Sequence, residues 1–218
     1  CSISISCRGS SSKISQRDRD FGFIYCIIDA KVSHLQMRDR AKTFVAAVER
    51  DSAQFALSFP NDVPIIVQSL LAAEDHRARF HNGIDFFSLL RALFLIIPRS
   101  RICGVSTIEQ QYIRTVFKRS DIVWKEKLRE LLIVVSVHHV LLKESIWLGY
   151  LWRAYYGHHL NGYKDARAFF CPSNQLLDLK AACQIVACLK YPRPQSAPMS
   201  WSKRHQRRAA YIESLVKD

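Results

Sequence analysis

The residues best suited to chemistry gather in "LLAAEDHRARFHNGID", from Leu70 to Asp85. A carboxylate pair, Glu74-Asp75, ends an apolar run, and His81 and Gly83 follow closely. Val63, Val67, Leu70 and Glu74 recur at i, i+4, i+7 and i+11, so a helix would carry Glu74 on its inward stripe. Such a carboxylate would be partly withdrawn from water, an environment that suits a general base. A second acid, Glu130, begins a similar row with Val134, Val137 and Leu141, and Lys127 stands three residues before it on the same side. Taken alone, Glu130 reads as a solvated helix acid paired with Lys127, and Glu74 as an ordinary helix-end acid. Their neighbours decide between those readings and general acid–base work.

The elements that must position these acids are mostly helices. Pro64 suits a first helical turn, and a helix is predicted from there to Glu74. "DFFSLLRALFLII", Asp85 to Ile97, predicts another, stopped by Pro98. Ser106-Thr107-Ile108-Glu109 fits the capping-box pattern, so the next helix is expected to start at Ser106. Helices are also expected over 121–142, 143–156 (ended by Gly157), 163–170, 176–190 and 203–216. Residues 1–20, Ser-rich and then charged, read as a mobile leader. Residues 21–59 are mixed, helix included, and the remaining chain, 21–218, is expected to be one domain. His138-His139 reads as helix surface and His158-His159 as a turn. With no strand alternation and no internal repeat, the fold class is mainly α.

At 218 residues and 49% apolar, the chain is long enough for one good core and is globular in composition. Its 32 Lys and Arg outnumber 19 Asp and Glu, giving +13 and a pI near 9.7. That favours an anionic partner: nucleic acid, an acidic membrane surface or a phosphorylated substrate. No stretch reaches the roughly 18 apolar residues of a spanning helix. The seven cysteines show no Cys-x-x-Cys or His-x-Cys spacing, so no cysteine zinc site is expected.

Four segments in order resemble the peptidoglycan glycosyltransferases, glycosyltransferase family 51, over about residues 60–215. "AAEDHRARFHNGID" is similar to the first signature at Glu74, Asp75, His81, Gly83 and Asp85. "CGVSTIEQQYIRTVF" resembles the second at Gly104, Ser106, Thr107, Gln110 and Gln111, with Arg114 where the family carries Lys. "WKEKLRELL" matches the third at Lys127 and Glu130, and "KESIWLGYLWRAYYG" the fourth at Lys143, Ile146, Tyr150, Leu151 and Gly157. "LKAACQIVACLKYPRP" looks like the family's alanine-rich helix ending in Pro. The departures are Ala78 for an aromatic, Val105 for Gly, Glu109 for Thr, Glu126 for Arg, Leu148 for Glu and Trp152 for Asn.

The resemblance implies a lysozyme-like helical domain with a small membrane-facing lobe around Arg91 and "ALFLII". It implies polymerisation of lipid II at the outer face of the bacterial cytoplasmic membrane. A sugar 4-hydroxyl attacks an anomeric carbon, and the lipid pyrophosphate leaves with inversion. Glu74 would be the general base, and Glu130 would act on the leaving side, directly or through Lys127 or a divalent cation such as Mg2+. Asp75, His81, Ser106, Thr107, Gln110, Gln111, Arg114 and Lys127 would form the substrate and pyrophosphate site, with His81 holding its loop. Gln111 and Arg114 share a face of a helix whose free starting amides favour anions. Glu109 is a cap residue or, if it faces the cleft, a charge that repels phosphate by roughly 4 kcal/mol at ~4 Å and an effective dielectric of about 20. The expected partners are lipid II, the growing glycan strand, an anionic membrane surface met by "KRHQRRAAY", and cell-wall synthesis proteins; nucleic acid is not among them. A catalytically impaired relative serving as a lipid-pyrophosphate-binding or scaffold module is the alternative, and a lysozyme-like hydrolase the remaining enzyme reading.

Overall fold

The computed structural model describes residues 16–78, 80–81, 106–118, 124–172 and 175–217, with 16–34 and 124–128 as backbone alone. Its helices are α1 (Gln16–Ser58), α2 (Val63–Glu74), α3 (Ile108–Val116), α4 (Trp124–Val137), α5 (Lys143–Arg153), α6 (Tyr163–Phe170), α7 (Leu179–Lys190) and α8 (Met199–Lys217). The mainly α reading therefore holds. The chain divides into two units, Cys1–Asp39 and Arg40–Asp218, and both candidate acids lie in the second. The expected helix over 85–97 and its membrane-facing lobe lie outside the described residues.

α2 begins as its sequence suggests, with Pro64 in the first turn, and buries Ile66, Val67, Leu70 and Leu71. α7 packs on α8, and both pack on α2. The inner stripe of α8 is His205, Ala209 and Ile212. On the other side of the unit α3 packs against α5 and α4. Gly149 lets α5 approach α3 closely, since a Cβ there would lie 2.7 Å from the Tyr112 hydroxyl. Among the described residues no single helix is long and apolar enough to cross a membrane.

Several sequence expectations move. Gln16–Asp20, read as leader, lies in α1. α4 ends at Val137, where His138–Val140 turns, rather than at Leu142. α5 ends at Arg153, and a two-stranded antiparallel hairpin comes next, β1 (Tyr155–Gly157) with β2 (Leu160–Asn161). His158-His159 is its turn, as expected. Gly157, at φ 135°, lies against the Arg193 backbone, and Arg193 accepts from the His158 amide at 2.6 Å while donating its own to Tyr156 O at 2.9 Å. α7 starts at Leu179 because the Asp178 carboxylate accepts from the Ala181 amide at 2.7 Å. α8 starts at Met199, directly after Pro198.

Two buried aspartates tie distant elements together by one device. Asp62 accepts from the Tyr163 hydroxyl at 2.9 Å and the Arg167 guanidinium at 2.6 Å, which leaves α2 without a side-chain cap. Asp51 on α1 accepts from the Tyr112 hydroxyl at 2.7 Å and from Arg153 Nε and Nη2 at 2.6 and 2.9 Å. Burial opposes its charge, but Arg153 and Tyr112 hold the Asp51 carboxyl below its ordinary value.

Asp51→Asn is expected to lower unfolding stability by about 2–3 kcal/mol at neutral pH, because Arg153 loses its counter-charge but stays partly solvated. A depressed folded-state pKa makes the wild-type advantage full above the ordinary carboxylate value and lost as pH falls below it. Urea denaturation of both proteins at pH 7 and at about pH 3 checks this; a gap that widens in acid refutes it.

Candidate active site

α2 delivers Glu74 as its last residue, where its apolar stripe, packed on α7 and α8, runs out. The Glu74 side chain is 16% exposed. Its Oε2 accepts from Gln111 Nε2 at 3.1 Å, and Gln111 Oε1 in turn accepts from the Tyr150 hydroxyl at 2.7 Å. Burial, reinforced by the Glu74 charge, pushes the Tyr150 hydroxyl well above its ordinary pKa, so Tyr150 remains a donor. From α8, Arg208 Nη2 donates to the Ala73 carbonyl at 2.6 Å and lies 3.5 Å from Glu74 Oε1. A cation at the C-terminal end of α2 satisfies a terminal carbonyl as well as a carboxylate.

Asp75 and His81 lie on the turn after α2. Ala78 N bonds to Asp75 O at 2.9 Å, and Lys143 of α5 donates to Ala78 O at 3.0 Å, so the loop folds back. His81 Nε2 then sits 3.0 and 3.1 Å from the two Asp75 oxygens, both side chains nearly buried. The expectation that His81 holds its loop by hydrogen bonding agrees with this.

The cap of α3 is corrected by one residue. Thr107, not Ser106, is the N-cap, and its hydroxyl accepts from the Gln110 amide at 3.5 Å. Thr107-x-x-Gln110 satisfies the same capping pattern as Ser106-x-x-Glu109, and α3 uses the later one. Glu109 is thereby freed from capping and turned inward, where it is 3% exposed. No hydrogen bond of good geometry reaches either of its carboxylate oxygens among the described residues. Burial pushes the Glu109 carboxyl above its ordinary range; its own amide, His81 and Thr107 pull it down, and Asp75 pushes it up again. Glu109 also lines a small, mostly apolar cavity with Phe44, Val134, Val137 and Ile146, to which His138 and Lys143 add polar groups. It faces Asp75 and His81 rather than the side of α3 that bears Gln111 and Arg114.

That side carries the link to the second acid. Arg114 Nε approaches Glu130 Oε2 at 4.0 Å and donates to Gln110 O at 3.3 Å. Glu130 is buried on α4, so α3 touches one acid through Gln111 and the other through Arg114. Lys127 lies on α4, but its side chain falls outside the described residues, as do Gly83, Asp85, Arg91 and Gly104. Among the described residues, the side chains able to hold a cation gather at Asp75, His81 and Glu109 rather than around Glu130. Trp152 packs toward Phe59, with ring centroids 6.5 Å apart. Tyr150 and Arg208 are the contributors that sequence reasoning misses. Tyr150 matches a signature that gives it no role, and Arg208 reads as part of a solvated basic face.

The transglycosylase family matches residues 41–216. Penicillin-binding protein 1A of Rickettsia typhi is 29% identical over 164 residues, which cover 72% of this chain and 21% of that protein. Penicillin-binding protein 2D of Bacillus subtilis is 28% identical over 71% of this chain and 23% of its own length. A Cupriavidus necator protein with a provisional transglycosylase name is 29% identical over 70% of this chain and 69% of itself. The chain thus spans about a fifth of the penicillin-binding proteins it matches. With the family matching well over half of its length, the chain belongs to the transglycosylase family.

Proposed function

We propose that this chain is a peptidoglycan glycosyltransferase that polymerises lipid II into glycan strands with inversion at the anomeric carbon. The observation that carries this reading is Glu74 itself: a largely buried carboxylate at the end of an apolar helix, held from two sides by Gln111 and Arg208. A base in that position takes the proton of the attacking 4-hydroxyl as the new glycosidic bond forms. The pyrophosphate leaves with the bonding pair, and cations beside it stabilise the charge that develops. Arg114 is poised for that task at the edge of the site, beside Glu130. Pyrophosphate arriving there would compete with Glu130 for Arg114, because their 4.0 Å pairing is loose. Asp75 and His81 would hold the loop under the acceptor sugar, while Thr107 and Gln110 fix the start of α3 that aims Gln111 and Arg114.

Glu109 does not oppose this reading. Its carboxylate is buried beside Asp75 and His81, on a different side of α3 from Arg114, so it does not compete for the leaving group. In the cell the reaction would run at the outer face of the bacterial cytoplasmic membrane, where an anionic surface suits the chain's excess of 13 positive charges. A divalent cation such as Mg2+ on the leaving side would be held by Glu130 together with the substrate and would offset the charge of the pyrophosphate.

Two variants test the proposal. Glu74→Gln keeps the Gln111 contact and the fold, and polymerisation of labelled lipid II should fall by about 10²–10⁴-fold with an unchanged melting temperature. Wild type that binds lipid II without making glycan would instead support the binding-module reading. Arg208→Met should reduce kcat by about 10–100-fold, because Glu74 loses the donor that orients it, and lower the melting temperature by a few degrees. Full activity in Arg208→Met would remove Arg208 from the site.

A further inference from the structure

We propose that Asp75, His81 and Glu109 form a binding site for a first-row divalent transition-metal ion. The site goes beyond the glycosyltransferase reading and does not depend on it. One ligating atom from each residue lies within 4.8 Å of the others, and two of the three side chains come from a loop whose shape is independently fixed.

Three observations carry the assignment. First, Glu109 is 3% exposed, and neither of its oxygens has a hydrogen-bond partner of good geometry among the described residues. A carboxylate removed from water is costly unless something charged meets it. The fold meets this requirement elsewhere, giving Asp51 and Asp62 each an Arg and a Tyr. Around Glu109 it supplies a second carboxylate and an imidazole within ligand spacing, while Lys143, which donates to Ala78 O, lines the neighbouring cavity. Two carboxylates and one divalent ion sum to zero, which the protein groups with a neutral imidazole do not.

Second, the spacing suits a coordination shell. Ligands at about 2.1 Å from a six-coordinate ion lie about 3.0 Å apart along an edge, and those of a tetrahedral ion about 3.4 Å. His81 Nε2 and the Asp75 oxygens already stand at 3.0 and 3.1 Å. The ion would take the place of the proton on that edge, the neutral imidazole binding through Nε2 and keeping its one proton on Nδ1. Glu109 would close the remaining gap by a side-chain rotation, for which the adjoining apolar cavity leaves room.

Third, the ligand chemistry selects the ion. One imidazole with two carboxylates suits Zn2+, Mn2+ or Fe2+, whereas Mg2+ prefers oxygen and its own waters. Three protein ligands leave positions for water. The site adjoins Glu74 through the backbone of Asp75, so an ion there would fix the loop on which the first signature depends.

The test reads metal binding without substrate. Purified chain, stripped with chelator, is titrated with Zn2+ by calorimetry and followed by thermal unfolding, beside Glu109→Gln and Glu109→Thr. Both variants replace a buried carboxylate by a neutral group, so the apoproteins should fold at least as well as wild type. Expected are one ion bound by wild type and a rise in melting temperature of about 5–10 °C at a hundredfold excess over Kd. Both should be lost in the variants, and Mg2+ should give a far smaller shift. No rise in wild type overturns the site. A rise retained in Glu109→Gln also overturns it and moves the ion to other ligands, such as the paired histidines at 138–139 and 158–159. An equal shift with Mg2+ overturns ligation by His81.

Discussion

A carboxylate at the dry end of an apolar helix must be supplied with donors, and much of this fold answers that one requirement. Glu74 ends α2 because the stripe that drives the helix inward runs out there. The chain can keep the charge only if other elements reach it. α3 offers Gln111, α5 orients that amide through Tyr150, and α8 brings Arg208 to both the carboxylate and the last carbonyls of α2. Three helices far apart in sequence are thus held to one atom group. Their packing would be unremarkable as hydrophobic burial; the polar network gives it a direction.

The same logic explains why α3 is the pivotal helix. Its start, capped by Thr107, sets the rotation of everything after it. With that register Gln111 meets Glu74, Arg114 meets Glu130 on α4, and Tyr112 points the other way to Asp51. Shifting the cap to Ser106 would make Glu109 the partner of its own helix start. The one-residue choice therefore decides whether Glu109 is an ordinary cap residue or a buried acid beside Asp75 and His81.

The parts of this arrangement that can be read in the sequence are those governed by local rules. Pro64 and the apolar period mark out α2, and the pattern over 163–170 coincides with the limits of α6. Both acids on inward stripes are legible too, since Glu74 and Glu130 continue rows of apolar residues. What escapes depends on distance or on ties between equals. Arg208 lies beside the inner stripe of His205, Ala209 and Ile212, yet in a run of cations it reads as solvated; only the packing of α8 on α2 makes it a partner of Glu74. Ser106 and Thr107 are adjacent hydroxyls that satisfy one capping rule equally well. The hairpin at Tyr155–Asn161 is too short for a period and is stabilised from outside, by the Arg193 backbone against Gly157.

Buried acids separate what is general in the fold from what is particular to this chain. Asp51 and Asp62 are each met by an arginine and a tyrosine, so the backbone elements they join are held by charge-assisted bonds with little left unsatisfied. Glu130 has Arg114 at the edge of its reach. Glu109 is the exception, a departure from the threonine that the resemblance implies at this position. Its carboxylate lies beside Asp75 and the imidazole bonded to it, and Lys143 lines the same cavity. A proton or a cation held between these three side chains would compensate the buried charge. In either case the change is confined to the loop after Glu74, leaving Gln111, Tyr150 and Arg208 to orient the carboxylate as before.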